Sequence, residues 1–324
     1  MMQIDNINDL ITHDIDPWNN MNPGSERLIP NKNKFKIYWG VERNGNIALY
    51  FRITHINENI LNNVNVENLE IGLFKDKLPG NYVWVIALKD KNFKDMFKTL
   101  SLDLIVATDQ ADNEKSLLKL IQSRLMKWQE LFKRNTEKFT IVQQMGLYSE
   151  LKTLLRFIYP QTNIKRAIDS WIGSEFDKQD FVFKESAIEV KSYKSSKGPR
   201  IIISSKEQLD SDKNNLYLIS YALTKDEFGE GVAELIAEII DIIHDDFSTL
   251  IEFKKKVISY GYFFDDTKLE LFKFNIDSIK SYEVKDDFPR VTAQDLLPGI
   301  LSIKYQVDLS ICTIYEIDEA NIKM

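Results

Sequence analysis

The first third of the chain alternates apolar and polar residues in short runs. The run KFKIYWGVERNGNIALYFRI, residues 34–53, has RNGN at its centre, and Asn-Gly accepts the positive φ angles of a two-residue hairpin turn. Two further strand patterns follow, LEIGLF at 69–74 and YVWVIAL at 82–88, with LPGN as a turn between them. Residues 92–108 are predicted to be helical and then extended. These patterns predict a β-rich N-terminal part.

The clearest helical periodicity lies at 113–135, where apolar residues recur every three or four positions. They are Leu117, Leu118, Ile121, Leu125, Trp128 and Leu131. The basic, polar stretch at 133–138 predicts a domain boundary. We therefore predict a β-rich domain over 1–138 that ends in this amphipathic helix and contacts DNA or a partner, and a second domain over 139–324.

The second half of the chain alternates helices and strands. Residues 146–158 place apolar side chains on one helical face, and 180–193 predict a hairpin of two strands. Buried strands are predicted at 199–205 and 215–223, with a short helix between them and a long helix afterwards at 231–246. This order predicts an α/β (α+β) fold in which helices flank a mixed sheet.

Charge and composition narrow the functional classes. The formal net charge of −7 argues against a protein that coats nucleic acid without specificity. Residues 184–206 nevertheless carry six basic side chains against two acidic ones, which indicates a local basic surface. One cysteine, Cys312, and three dispersed histidines cannot supply an ordinary structural zinc site. Because a single cysteine suits a reducing compartment and no apolar run is long enough to span a bilayer, a cytoplasmic location without membrane contact is expected.

The segment DFVFKESAIEVKSYKSS, residues 180–196, places two acids and a lysine on the predicted hairpin. Glu189 and Lys191 point to the same face because side chains alternate along a strand, and the turn folds Asp180 back toward them. Two adjacent carboxylates repel unless a cation joins them, and Mg²⁺ prefers oxygen ligands. Glu150, on the preceding helix, is a candidate to enter the same site as a ligand or through a water; the alternative is an exposed ion pair.

An acid-x-lysine triplet is by itself a weak pattern, and a solvated hairpin face is its usual explanation. The chain holds four more such triplets, at Glu150–Lys152, Glu252–Lys254, Asp266–Lys268 and Glu283–Lys285. Context separates the triplet at 189–191 from them, because an acid begins the paired strand, a helix with an acid precedes it and buried strands follow it. The triplet at 283–285 runs directly into DDFPR, where Pro289 interrupts any strand.

Several of these runs together resemble a known family. The segments GLYSELKTLL, WIG, DF, IEVKSY, IIISSKEQL and LYLISYAL, within 140–240, resemble the PD-(D/E)XK nuclease superfamily, which has the restriction-endonuclease-like fold. More narrowly, the chain is similar to bacterial PD-(D/E)XK-motif proteins encoded near restriction-modification genes. The resemblance implies that Asp180 is the aspartate of the motif, Glu189 its second acid and Lys191 its lysine.

Further site residues follow from the same resemblance. Glu150 matches an acid on the first core helix, and Gln208 matches a polar residue on the helix after the core strand. Gln179 stands where the name of the motif has proline, a position at which members vary. For Gln208 the alternative is a purely local hydrogen bond.

The resemblance implies a Mg²⁺-dependent DNA endonuclease of a bacterial restriction or anti-phage defence system, with Mn²⁺ as a substitute ion. Asp180, Glu189, Glu150 and the Val190 carbonyl would hold the metal, and Lys191 would position the attacking water or stabilise the transition state. The local basic side chains are candidates to track the DNA backbone, or else belong to a solvated loop. They are Lys194, Lys197, Arg200 and Lys206.

Two other functions remain open at this point. The chain can instead be a catalytically inactive scaffold or DNA-binding subunit of a multi-protein defence complex, with an ATPase or a methyltransferase among its partners. A homodimer is compatible with the resemblance, although no dimer face is evident. A third reading, an unrelated α/β protein, predicts that Asp180 and Glu189 lie far apart.

Overall fold

The computed structural model describes residues 16–30, 35–54, 65–76, 79–134, 139–173, 179–264 and 269–324. The described chain divides into two compact units, one drawn from 1–138 and 244–268 and the other from 139–243 and 269–324. The predicted second domain, 139–324, differs from the second unit in the segment 244–268. The predicted linker at 133–138 and the triplet at 266–268 lie largely outside the described residues.

The regular elements are numbered here in chain order. The strands are β1 (Ser25–Leu28), β2 (Lys36–Val41), β3 (Ile47–Ile53), β4 (Leu69–Lys75), β5 (Tyr82–Leu88), β6 (Phe181–Val182), β7 (Ser186–Lys194), β8 (Arg200–Ile203), β9 (Asn215–Gly231), β10 (Lys273–Glu283), β11 (Tyr305–Asp308) and β12 (Glu316–Ile317). The α-helices are α1 (Lys94–Ala107), α2 (Glu114–Arg134), α3 (Ile141–Thr153), α4 (Ile164–Ser170), α5 (Val232–Ile243) and α6 (Phe247–Ser259).

The first unit contains an antiparallel sheet in the order β1-β2-β3-β5-β4. Gly45 takes a φ of 86° in the turn between β2 and β3, in the left-handed region that glycine adopts without a steric cost. The predicted hairpin over 34–53 and the two strands after it are therefore confirmed. Helix α6 packs on α1 and α2, which is why the segment 244–268 belongs to this unit.

The prediction that residues 92–108 turn from helical to extended is wrong in its second half. Leu104 and Ile105 lie inside α1, which continues to Ala107. Almost every side chain of α1 is buried, including those of Asp103 and Ser101. A helix buried on all sides has no polar stripe, so its apolar run cannot be distinguished from a strand by periodicity.

The second unit is built on a mixed sheet in the order β12-β10-β9-β7-β6. Strands β7 and β9 run parallel, in register from the pair Ser186–Asn215 to the pair Lys194–Leu223, and the other neighbours are antiparallel. Helix α3 packs on β7 and β9, and α5 packs on β9 and on α3. The predicted fold class, a mixed sheet flanked by helices, is confirmed.

Two predicted elements of this unit have a different form in the structure. Strand β8 buries the side chains of Ile201 and Ile203, as expected of a buried strand. It does not join the mixed sheet, however, but pairs with β11 in a separate two-stranded sheet. The short helix predicted at 205–212 is a single 3₁₀ turn at Lys206–Leu209.

No helix in the described residues combines the length and apolar character that crossing a bilayer requires.

Candidate functional site

The pairing of β6 with β7 brings the two acids of the hairpin together. Phe181 pairs with Ile188 in the antiparallel ladder, so the next pair outward along the ladder sets Asp180 opposite Glu189. Directly opposed residues of an antiparallel pair lie on one face, with Cβ atoms about 5 Å apart. The Val190 backbone N–H donates to Asp180 Oδ2 over 2.7 Å, which fixes the aspartate against the peptide that follows Glu189. The third reading, in which these acids lie far apart, is therefore wrong.

Glu189 and Lys191 form a buried ion pair on the same strand. The Glu189 side chain is 0% exposed and that of Lys191 is 17% exposed, and Lys191 Nζ donates to Glu189 Oε1. Glu189 Oε2 is buried and accepts no hydrogen bond from any described residue. The triplet at 283–285 is the opposite case, because Lys285 Nζ pairs with Glu283 Oε2 over 2.5 Å with both side chains partly exposed.

The surroundings shift the pKa of all three groups upward. Burial raises the pKa of Glu189 well above its usual range, and the neighbouring charge of Asp180 adds to the effect. Burial also raises the pKa of Asp180, although the charge of Lys191 partly opposes this. Burial lowers the pKa of Lys191, but the carboxylates of Glu189 and Asp180 outweigh it, so the net shift is upward. When ionised, the carboxylates of Asp180 and Glu189 therefore carry more negative charge than the single Lys191 ammonium neutralises.

A second carboxylate approaches Asp180 from α3. Glu150 is 5% exposed, and its Oε2 accepts a hydrogen bond of 2.7 Å from the indole N–H of Trp171. The N–H groups of Ile172 and Gly173 both donate to the Asp180 carbonyl, over 2.8 and 3.0 Å. A methyl group at Gly173 would lie 2.5 Å from Asp180 Oδ1 and 2.8 Å from Glu150 Oε2. The two carboxylates therefore converge at residue 173.

We expect Gly173→Ala to destabilise the protein by about 1–3 kcal/mol, as overpacking of a filled site does. The added methyl group has to displace carboxylates that Val190 and Trp171 hold in place. Urea unfolding measures the loss. The matched control is Gly146→Ala in α3, where a methyl group meets nothing within 4 Å and a helical alanine is favourable. Equal stability of Gly173→Ala and the parent chain would contradict this account of the site.

The oxygen atoms of the cluster are candidate ligands of a divalent metal ion. Among the described residues, no three or more His, Cys, Asp or Glu side chains are grouped so as to hold one. Mg²⁺, however, is commonly held by one or two carboxylates and keeps several waters. Asp180 and Glu189 provide such a pair. The buried Glu189 Oε2 accepts no hydrogen bond from a described residue, and a bound cation would supply the missing partner. The residues present fit a two-carboxylate Mg²⁺ site.

Gln208 lies outside this cluster of interactions. Its Oε1 accepts the Ser204 backbone N–H over 2.7 Å, which stabilises the local turn before the 3₁₀ segment. Gln179, by contrast, is buried, and its amide donates to the Glu207 carbonyl. The residue before Asp180 thus ties β6 to the 3₁₀ turn, whereas Gln208 makes the local bond that was its alternative explanation.

The four predicted DNA-contacting residues lie around the C-terminal end of β7 and the β8 ribbon. Lys194 ends β7, Lys197 follows on a 3₁₀ turn, and both are exposed. Arg200 begins β8 and is 66% exposed, with a loose contact of 3.9 Å to Asp308. Lys206 Nζ lies 3.7 Å from Glu207 Oε1, the carboxylate of the next residue. The first three form a basic edge beside the strand that carries Lys191.

Sequence reasoning assigned no role to Trp171, Gly173 or Gln179. Trp171 and Gly173 belong to the run WIG that carries part of the family resemblance, but nothing in that run shows that its indole N–H bonds Glu150. Gln179 was noted only as a departure from the motif. Its position directly before a motif acid is the one sequence feature that could have drawn attention to it.

The chain matches the model of a known protein family. A family model described as "Putative PD-(D/E)XK family member, (DUF4420)" matches residues 15–310, most of the chain. Searches of curated proteins and of solved structures found no match.

Proposed function

This chain belongs to the PD-(D/E)XK family of that match, and we propose that it is a Mg²⁺-dependent DNA endonuclease that serves a bacterial restriction or anti-phage defence system. The observation that carries the proposal is the opposed pair of Asp180 and Glu189 with Lys191 buried beside it. A buried carboxylate pair with raised pKa values in a motif of this family is the arrangement expected of a phosphodiester-cleaving centre.

Each residue of the cluster has a proposed task. Asp180 and Glu189 would hold Mg²⁺, with the Val190 carbonyl as a further oxygen, and Mn²⁺ would substitute. The ion, when bound, would supply Lewis-acid polarisation of the phosphate and lower the pKa of water. The Val190 N–H fixes the orientation of Asp180, and Glu189 orients the Lys191 ammonium.

Lys191 would place positive charge against the phosphate oxygens as negative charge develops on them. Its raised pKa keeps the ammonium protonated at neutral pH, so it would act as a charge and a hydrogen-bond donor and not as a base. Glu150, held by Trp171, would orient solvent next to Asp180. The basic edge at Lys194, Lys197 and Arg200 would contact the DNA backbone, and Gln208 would support the turn beside it.

The direct test is cleavage of supercoiled plasmid and of linear duplex DNA by the purified full chain. We expect cleavage with Mg²⁺ or Mn²⁺ and none with EDTA. In parallel, titration calorimetry with Mn²⁺ is expected to show binding by the parent chain and no binding by Asp180→Asn. Asp212→Asn is the control, because Asp212 is an exposed acid outside the cluster.

The two measurements separate the catalytic function from its alternative. One outcome is that the chain binds Mn²⁺ but cleaves no DNA, either by itself or together with the proteins encoded by neighbouring genes. This outcome would support a non-catalytic subunit of a defence complex. Absence of both would contradict the assignment of the metal site itself.

A further inference from the structure

The face of the sheet that carries the cluster continues beyond it. In the ladders of β7, β9 and β10, residues with the same orientation form three successive rows. The rows are Glu189, Leu218 and Tyr282; then Lys191, Ser220 and Lys280; then Tyr193, Ala222 and Ser278. Because neighbouring rows are two residues apart along each strand, the third row lies about 6.6 Å beyond the row of Lys191.

A cavity opens over this third row. It has a volume of about 480 Å³, within the range of small-molecule sites. Tyr193, Tyr282 and Lys280 line it from the sheet. Tyr193 is half-buried and packs at its base on the apolar cluster around Leu218, which holds the ring in place. The cavity therefore presents a fixed aromatic surface on the same face as Glu189 and Lys191.

An acceptor is fixed at the edge of the same cavity. Asp277 lies at an irregularity of the β10 ladder between Ile276 and Ser278, where a bulge redirects a side chain. Its Oδ2 accepts hydrogen bonds from the hydroxyls of Ser195 and Thr224, the latter over 2.6 Å. No described residue donates to its Oδ1. The two hydroxyls lower the pKa of Asp277, so the exposed carboxylate is an oriented acceptor at neutral pH.

Another part of the lining comes from the loop that follows β7. Ser195, Gly198 and Pro199 line the cavity, and the same loop carries the exposed Lys194 and Lys197. The lining thus combines the Tyr193 ring, the Asp277 carboxylate and the Lys280 ammonium. Such a combination suits a ligand with a planar ring that donates hydrogen bonds and an anionic group at one end.

We propose that this cavity binds the nucleoside next to the scissile phosphate, with its base against Tyr193 and hydrogen-bonded to Asp277. The inference rests on the proposed nuclease function for the identity of the phosphate. Lys191 and Tyr193 are successive residues on one strand face, so a phosphate at the first leaves its attached base near the second. A base in this cavity is out of the helical stack, which is how a protein reads the Watson–Crick edge of a single base.

The cavity favours guanine over thymine. A carboxylate accepts hydrogen bonds and donates none, and guanine presents its N1–H and its 2-amino group side by side. Thymine offers one N–H between two carbonyl oxygens, which a carboxylate repels. The cavity therefore predicts a preference for guanine over thymine at the nucleotide next to the cut.

The test measures binding of dGMP and dTMP to the full chain by titration calorimetry in EDTA, so that binding is separated from cleavage. We expect dGMP to bind about tenfold more tightly than dTMP, the scale of one well-placed contact to a base. Asp277→Asn should remove this preference, and Asp212→Asn, an exposed acid outside the cavity, should retain it. Tyr193→Leu should weaken both nucleotides to a similar extent, because stacking does not depend on base identity.

The outcomes distinguish this inference from the nuclease proposal. If DNA is cleaved but neither nucleotide binds, or if Asp277→Asn leaves the preference unchanged, the nucleoside site is overturned and the nuclease stands. If dGMP binding depends on Asp277 while no DNA is cleaved, the cavity is upheld as a nucleotide site, whereas the nuclease proposal and the scissile phosphate beside the cavity are overturned. Sequencing of product ends from an active enzyme should also show guanine more often than thymine next to the cut, and Asp277→Asn should lose this bias.

Discussion

Replacing Lys191 with alanine is expected to lower the rate of DNA cleavage about 10³-fold, the scale seen when one preorganised donor to a developing charge is removed. Its ammonium is largely buried, bonded to Glu189 and held protonated by the two carboxylates around it. Water that replaces it is not fixed in place and carries no charge. Initial rates of plasmid nicking, measured with Mg²⁺ and with Mn²⁺, give the size of the effect.

The control for this variant is built into the chain. Lys285→Ala breaks the same acid-x-lysine pairing at an exposed position and should leave the rate unchanged. Because loss of Lys191 also leaves Glu189 as a buried acid without its ion partner, Lys191→Met is made as well, to retain the packing of the alkyl chain. Cleavage at the parental rate by folded Lys191→Ala, as judged by circular dichroism, would remove Lys191 from the mechanism.

The core of the candidate site follows from the sequence because it depends on one hairpin. Alternation along β7 fixes that Glu189 and Lys191 share a face, and a short turn fixes that Asp180 returns to their neighbourhood. The ion pair of Lys191 with Glu189 confirms the first expectation, and the ladder pair Phe181–Ile188 confirms the second. Local geometry of this kind requires no knowledge of how distant segments pack.

Burial, in contrast, could not be obtained from the triplets. The triplets at 189–191 and 283–285 have the same sequence, Glu-Val-Lys, and the same two-residue spacing. Glu189 is enclosed by neighbouring strands, whereas Glu283 ends β10 and remains partly exposed. The chemical difference between these two identical tripeptides therefore arises from the sheet around them.

The supporting contacts also depend on tertiary packing. Trp171 reaches Glu150 across 21 residues, and Gln179 reaches Glu207 across 28. Asp277 lies at an irregularity of the β10 ladder, and the surrounding sequence does not predict this irregularity. Such contacts have no local period, so sequence reasoning names the motif acids but not the residues that orient them.

The second large effect concerns Glu189→Gln, which is expected to abolish cleavage and yet stabilise the metal-free protein. Glu189 is an enclosed carboxylate with one oxygen that accepts no hydrogen bond from a described residue, and its pKa is raised well above its usual range. A group with a raised folded-state pKa stabilises the fold fully below its unfolded pKa, about 4.5, and loses that contribution as pH rises toward the folded value. Glutamine has nearly the same shape and carries no charge at any pH.

The expected result is a difference between two pH profiles of unfolding free energy, measured with urea in EDTA from pH 4.5 to pH 8. The parent should lose stability relative to Glu189→Gln as pH rises, with a gap of about 1–3 kcal/mol at the upper end, because only the parent has to ionise an enclosed group beside Asp180. The comparison is made as a difference because other acids act oppositely, such as Asp277, whose pKa the Ser195 and Thr224 hydroxyls lower. Glu283→Gln, at the partly exposed triplet, serves as the control and should follow the parent.

Added Mg²⁺ should reverse this order. An ion that binds only the folded state stabilises it by about 2.7 kcal/mol at one hundred times its Kd. The parent should gain this stabilisation, whereas Glu189→Gln, which lacks one of the two proposed carboxylate ligands, should gain little. The Glu189 carboxylate would then be the cause of both effects. It destabilises the metal-free protein and stabilises the protein that holds the ion. A parent chain whose stability does not fall relative to Glu189→Gln as pH rises, or one that Mg²⁺ leaves unchanged, would show that the buried acid is not kept to hold an ion.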